Sequence, residues 1–105
     1  SNEYDLIIAV ANWPRPRREV FRTLLRARAM ENLSYVIGVN RVGEDPNRLV
    51  YSGDSVIIDP RGKALVEAEE GAEAVITATL DYAPLQDLRQ KFPVWADADP
   101  FLLQI

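Results

Sequence analysis

Residues 4–11, Tyr-Asp-Leu-Ile-Ile-Ala-Val-Ala, are nearly all apolar. A short continuous run rich in Ile and Val predicts a strand buried on both faces, as in a sheet covered by helices. Asn12-Trp13-Pro14 and then Arg15-Pro16 end it, because two prolines at this spacing break a strand and favour a loop that opens a helix. The helix is predicted from Pro16 to Asn32. At 100° per residue, Val20, Phe21, Leu24, Leu25 and Ala27 share one broad face, and Arg18, Arg22 and Arg26 line the opposite, solvated side. Arg17, Arg28 and Glu31 fall on the apolar face. An unpaired charge there is costly, so Arg28 and Glu31 are expected to form a buried structural pair, with each other or with the adjoining sheet.

Ser34 to Arg41 reads as a second buried strand, and Gly43-Glu44-Asp45-Pro46-Asn47 as a loop. Residues 54–59 and 63–69 predict a hairpin around Asp59-Pro60-Arg61-Gly62. Pro60 suits the first central position of a type I turn there, and Gly62 the left-handed position that closes it. A further strand is expected from Ala74 to Leu80 and a short helix from Ala83 to Gln90. The aromatic tail from Lys91 onward is expected to pack on a surface, such as that of a partner subunit. The order β-α-β-β-β-β-α describes a layered α/β (α+β) unit, a mixed sheet with one long and one short helix. Two helices are too few to cover both faces of such a sheet, so the chain reads as half of a sandwich.

Composition narrows the chemistry. A chain of 105 residues with 48% hydrophobic and 27% charged residues is globular and makes one small domain at most. No apolar run is long enough to span a membrane. Neither cysteine nor histidine is present, which excludes disulfides, Cys/His zinc sites, thiol nucleophiles and imidazole-based triads within this chain. The lack of cysteine fits a reducing compartment, and a cytoplasmic protein is expected.

Six arginines between Arg15 and Arg28 suggest a basic patch. However, 12 basic against 16 acidic residues leave a net charge of −4, and the arginines spread around the helix, so no nucleic-acid partner is expected. Glu67, Glu69, Glu70 and Glu73 read as a solvated loop. Glu44 and Asp45 read as turn residues, and Asp97 and Asp99 lack the ligand set of a calcium loop; no metal site is expected. Asn12-Trp13-Pro14 stands apart, since it follows a buried strand at the end where open α/β sheets hold their ligands. Asn12 and Trp13 give a pocket one hydrogen-bonding group and one apolar wall; the alternative is a structural loop carrying a core tryptophan.

Several runs resemble the nitrilase superfamily of carbon–nitrogen hydrolases. They are Tyr4-Asp5 with Ala11-Asn12-Trp13-Pro14 and Arg17; Leu25 with Ala27-Arg28-Ala29-Met30-Glu31-Asn32; and Tyr35-Val36, Gly38 and Asn40-Arg41-Val42-Gly43. Tyr51, Gly53-Asp54-Ser55, Ile58-Asp59-Pro60 and Gly62 continue the likeness, and Lys91-Phe92-Pro93, Trp95, Asp97-Ala98-Asp99 and Phe101 are similar to the omega-amidase branch. The resemblance covers essentially the whole chain. It implies half of a four-layer αββα sandwich, with residues 1–105 as the C-terminal portion of a single hydrolase domain. It implies a Glu general base, a Lys that stabilises the tetrahedral intermediate and a Cys nucleophile, all before Ser1, so that no catalytic residue falls in this chain and the chain alone is expected to be inactive. It assigns Asn12 and Trp13 to the substrate pocket and matches Arg28 and Glu31 to motif positions as a buried structural pair. The expected partners are the N-terminal portion of the same enzyme, a small amide such as 2-oxoglutaramate and a second copy in a homodimer; no cofactor is expected. Alternatives are another branch, such as an N-carbamoyl amidase, and a non-catalytic interaction module.

Overall fold

The computed structural model describes residues 3–93. Strand β1 (Leu6–Ala11) leads through a 3-10 turn, Arg15–Arg17, into helix α1 (Arg18–Asn32) and back into β2 (Tyr35–Asn40). β1 and β2 run parallel, from Leu6 opposite Tyr35 to Ala11 opposite Asn40, so their C-terminal ends finish side by side. β3 (Val42–Glu44) and β4 (Val50–Ser52) form a separate antiparallel ribbon. β5 (Val56–Ile58) and β6 (Ala64–Glu67) complete a mixed sheet of order β1-β2-β5-β6, and α2 (Tyr82–Lys91) closes the described chain. This is the layered unit with one long and one short helix that the sequence predicts.

Helix α1 meets the sheet through a narrower stripe than the helical wheel implied. Phe21, Leu25 and Ala29 are buried and pack with Val36, Val56 and Ile58, Phe21 and Leu25 each contributing about 1.5–3 kcal/mol of burial. Val20 and Leu24 stay on the open side of the helix. At the crossing point, a Cβ on Gly38 would overlap Leu25 Cδ1 and lie 3.3 Å from Phe21 Cζ, so a glycine is what lets helix and strand approach this closely. The predicted hairpin turn forms: Gly62 N–H donates to Asp59 O at 2.9 Å, Gly62 has φ 86, and Asp59 Oδ1 accepts from Arg61 N and Lys63 N.

Four expectations need correction. Val42–Glu44, read as strand end and loop, forms β3 because the turn after it folds β4 back onto it; Asp45 Oδ1 accepts from Asn47 N and Leu49 N, which makes this carboxylate the turn's organiser. Residues 74–80 are not a strand. Ile76, Ala78 and Leu80 alternate as half-buried positions, but no strand among the described residues pairs with them, and alternation without a ladder is only extended chain. Arg28 and Glu31 do pair, but their side chains are 52% and 53% exposed. They flank the Phe21–Leu25–Ala29 stripe and do not lie within it. Finally, Arg17 is exposed at the start of the helix, with its guanidinium over the Trp13 ring.

The sheet's second face is open over β1 and the end of β2, although Tyr35 and Ile57 on the same face are buried. Ile7, Ala9 and Ala11 of β1 pack against the core, while Ile8 and Val10 are 60% and 80% exposed beside Ile37 and Val39 of β2. The C-terminal tail, expected to pack on a surface, lies outside the described residues from position 94 on, together with Asp97 and Asp99. Among the described residues no helix is long and apolar enough to cross a membrane.

The glycine contact gives a direct test. Gly38→Ala is expected to cost about 1–2 kcal/mol through overpacking. Denaturant unfolding of the protein checks it, as a lower midpoint at unchanged slope.

Candidate functional site

The segment after β1 is anchored through Asn40, the last residue of β2. Asn40 Oδ1 accepts from the Trp13 backbone N–H at 2.8 Å, and Asn40 Nδ2 donates to Trp13 O and to Gly53 O, each at 2.9 Å. The Asn40 backbone N–H donates to Ser55 Oγ at 3.0 Å, and the Ser55 hydroxyl donates in turn to Asn40 O at 3.3 Å. One side chain thus spans the β1–α1 connection and the β4–β5 loop at the end of the parallel pair. Sequence reasoning quoted Asn40 only as part of a motif. A polar residue closing a buried strand was the available signal.

Trp13 is half-buried, and its contacts are internal. Its ring lies 5.7 Å from Phe21, centroid to centroid, and 5.2 Å from the Arg17 guanidinium, while its indole N–H donates to Arg17 O at 2.7 Å. Asn12, one residue earlier, is exposed, and its side chain makes no hydrogen bond among the described residues. The two candidate residues therefore sit together at the strand end but differ: Trp13 is a fixed wall and Asn12 an outward-facing amide. Arg28 and Glu31 lie farther along α1 and are not part of this end of the sheet.

A second polar group fastens the same region. Asp54 is buried, 7% exposed, and holds a left-handed backbone with φ 59. Arg18, at the start of α1, donates to its two oxygens at 3.1 and 2.7 Å, and Ser52 Oγ donates at 2.6 Å. Burial raises the carboxyl's pKa, yet the bonds from Arg18 and Ser52 outweigh it and hold the group below its ordinary value. The hydrogen bond to Asp54 in turn pushes the Arg18 guanidinium further up. Arg18 also reaches Glu70 at 3.4 Å, and Glu67 lies 3.7 Å from both Arg22 and Arg26. The glutamates are exposed, as expected, but Glu67 and Glu70 also pair with these arginines, and Arg18, Arg22, Asp54, Glu67 and Glu70 line a polar cleft of about 190 Å³. The sequence wheel missed this because β6 and its following turn fold over α1's polar side.

This end of the sheet presents an exposed amide, Asn12, beside a half-buried indole, Trp13, and neither side chain is a nucleophile. Among the described residues no three potential ligands gather to hold a metal.

A parallel β-α-β unit with a ligand-side strand end is shared by many α/β enzymes; sequence narrows the class. Residues 1–90 match the carbon-nitrogen hydrolase family, and the chain belongs to it. It is 49% identical to omega-amidase YafV of Escherichia coli K12 over 102 residues, covering 97% of this chain and 40% of that protein. It is 41% identical to the 2-oxoglutaramate amidase of Paenarthrobacter nicotinovorans, over 88% of this chain and 31% of that enzyme. Its structure matches that of the CN-hydrolase superfamily protein XC1258 from Xanthomonas campestris with a TM-score of 0.90 at 49% identity, over 97% of this chain and 38% of that one. The chain thus spans about 40% of the length of the E. coli relative.

The Asp54 network predicts a pH signature. Its folded pKa is depressed, so the stability it contributes is full above the ordinary aspartate value of 3.8 and is lost as pH falls below that, through the folded value. Asp54→Asn is expected to cost about 1–2 kcal/mol at neutral pH, the modest end for charged hydrogen bonds because Arg18 is partly open to screening solvent. Unfolding curves of the two proteins, compared from neutral to acid pH, should converge below that value.

Proposed function

We propose that the protein carrying this chain is an omega-amidase, releasing ammonia from the terminal amide of a short 2-oxo acid such as 2-oxoglutaramate. The observation that carries this reading is the 49% identity to an omega-amidase over 97% of the chain. In this reaction a cysteine thiolate outside these residues attacks the amide carbon. The C–S bond forms, and the C–N bond breaks as the nitrogen leaves with a proton as ammonia. Water then cleaves the thioester, returning the thiol and releasing the acid. A glutamate acts as general base, and a lysine steadies the tetrahedral oxyanion.

This chain's share is structural and positional. Trp13 and Asn12 border the pocket at the end of β1, with Trp13 as the apolar wall and Asn12 as a hydrogen-bonding group for the substrate. The N-terminal portion of the enzyme covers the apolar face formed by Leu6, Ile8, Val10 and Val39, which supports the reading of residues 1–105 as half of an αββα sandwich. The enzyme works as a cytoplasmic homodimer, with neither a nucleic-acid nor a membrane partner, and the chain by itself is inactive.

The test is ammonia release from 2-oxoglutaramate by the protein, with an intact-mass spectrum under denaturing conditions. Turnover is expected only from material that contains cysteine, either in a longer chain or in a second polypeptide. Turnover by the 11.8 kDa chain alone, or none by the cysteine-containing protein, sinks the proposal. Deleting Pro93 to Ile105 is expected to shift the native mass from dimer to monomer, and a dimer that persists counts against the tail as the intersubunit contact.

A further inference from the structure

We propose that Asn40 is a positioning residue for the amide pocket, a latch that sets the Asn12–Trp13 peptide plane and couples it to the β4–β5 loop; this rests on the omega-amidase reading. The N–H that Asn40 Oδ1 holds at 2.8 Å belongs to the peptide joining Asn12 to Trp13. Fixing that peptide fixes the direction in which Asn12 leaves the strand end. The same side chain closes a ring on Trp13 by donating to its carbonyl, and spends its remaining proton on Gly53 O. Its main chain meets Ser55 in both directions. Two loops that border the end of the parallel pair are therefore joined through one carboxamide.

The chemistry selects asparagine. The position needs one acceptor and two donors at a short, fixed fork, and only a carboxamide of this length supplies them. An aspartate keeps the acceptor but turns a negative charge toward two carbonyl oxygens. The packing beneath does not depend on the latch. Trp13's ring keeps Phe21 and Arg17, and the core of Phe21, Leu25, Val36 and Ile58 is built below it. Removing Asn40 should thus release the Trp13 backbone and leave the fold in place.

The experiment compares kcat and KM for 2-oxoglutaramate in the whole enzyme and in its Asn40→Ala, Asn12→Ala and doubly substituted forms, alongside hydrogen exchange at the Trp13 amide. Asn40→Ala is expected to raise KM about tenfold with kcat changed less than about threefold. Trp13 exchange should quicken by about tenfold or more while the β2 amides hold their protection. In the Asn12→Ala background the Asn40 effect should largely vanish, because the latch acts through that residue. If Asn40→Ala does not fold, Asn40→Ser, which removes the fork and adds no charge, gives the same comparison. An unchanged KM, an equal effect with and without Asn12, or loss of β2 protection together with Trp13's overturns the latch. A wild-type enzyme that releases no ammonia overturns the omega-amidase reading instead, whatever the variants do.

Discussion

Helix α1 rests on β2 at Gly38, and the rest of the unit is arranged around that contact. With no side chain at Gly38, Leu25 and Phe21 reach down to the strand, and Val36, Val56 and Ile58 fill in around them. The buried stripe is narrow, one residue per turn: Phe21, Leu25 and Ala29. Its direction also decides what is left outside. Arg28 and Glu31 flank it on the surface, whereas Arg18, Arg22 and Arg26 face the acidic end of β6 and the turn beyond it.

Around this apolar seam the chain is tied by polar side chains that each serve several backbone groups. Arg89 of α2 is the largest such knot. Its guanidinium donates to Leu33 O, Tyr4 O and Ser34 Oγ and pairs with Asp5, joining the last described helix to the start of β1 and to the α1–β2 turn. At the opposite end of the strands, Asn40 and the Arg18–Asp54 pair do the same for the β1–α1 and β4–β5 connections. No buried side-chain nitrogen or oxygen among the described residues lacks a partner. That matters here because an orphaned buried group costs more than a typical hydrogen bond contributes. The division places the structural knot at one end of the parallel pair and the candidate pocket at the other.

The chain belongs to the carbon-nitrogen hydrolase family and leaves part of one sheet face uncovered. A sheet with Ile8 and Val10 exposed on one side and a helix on the other is one half of a layered arrangement. The relatives whose sequences it matches are two to three times as long, by the shares of their length it covers. Under the omega-amidase reading, the chain's contribution to catalysis is the shape of a strand end, held by hydrogen bonds that reacting groups outside it do not supply.

Much of this was legible in the residues. The apolar runs specified β1 and β2, the helix between them and the Asp59–Gly62 turn, because periodicity and turn chemistry are local and act over a few residues. The motif residues specified the family, and the lack of cysteine showed that these residues hold no thiol. What the pattern could not specify was partnership. Residues 74–80 have the alternation of a strand and no ladder beside them; Val20 and Leu24 are as apolar as Phe21 and Leu25 but stay on the open side; Arg28 and Glu31 pair without being buried. Asn40 and Asp54 looked like ordinary polar residues until folding brought Trp13 and Arg18, 27 and 36 positions away, to their side chains. By itself the sequence determined the local elements, the family and the chemistry the chain lacks. Only the tertiary structure decided which polar groups are fastened and which face is open, because both depend on contacts between segments distant along the chain.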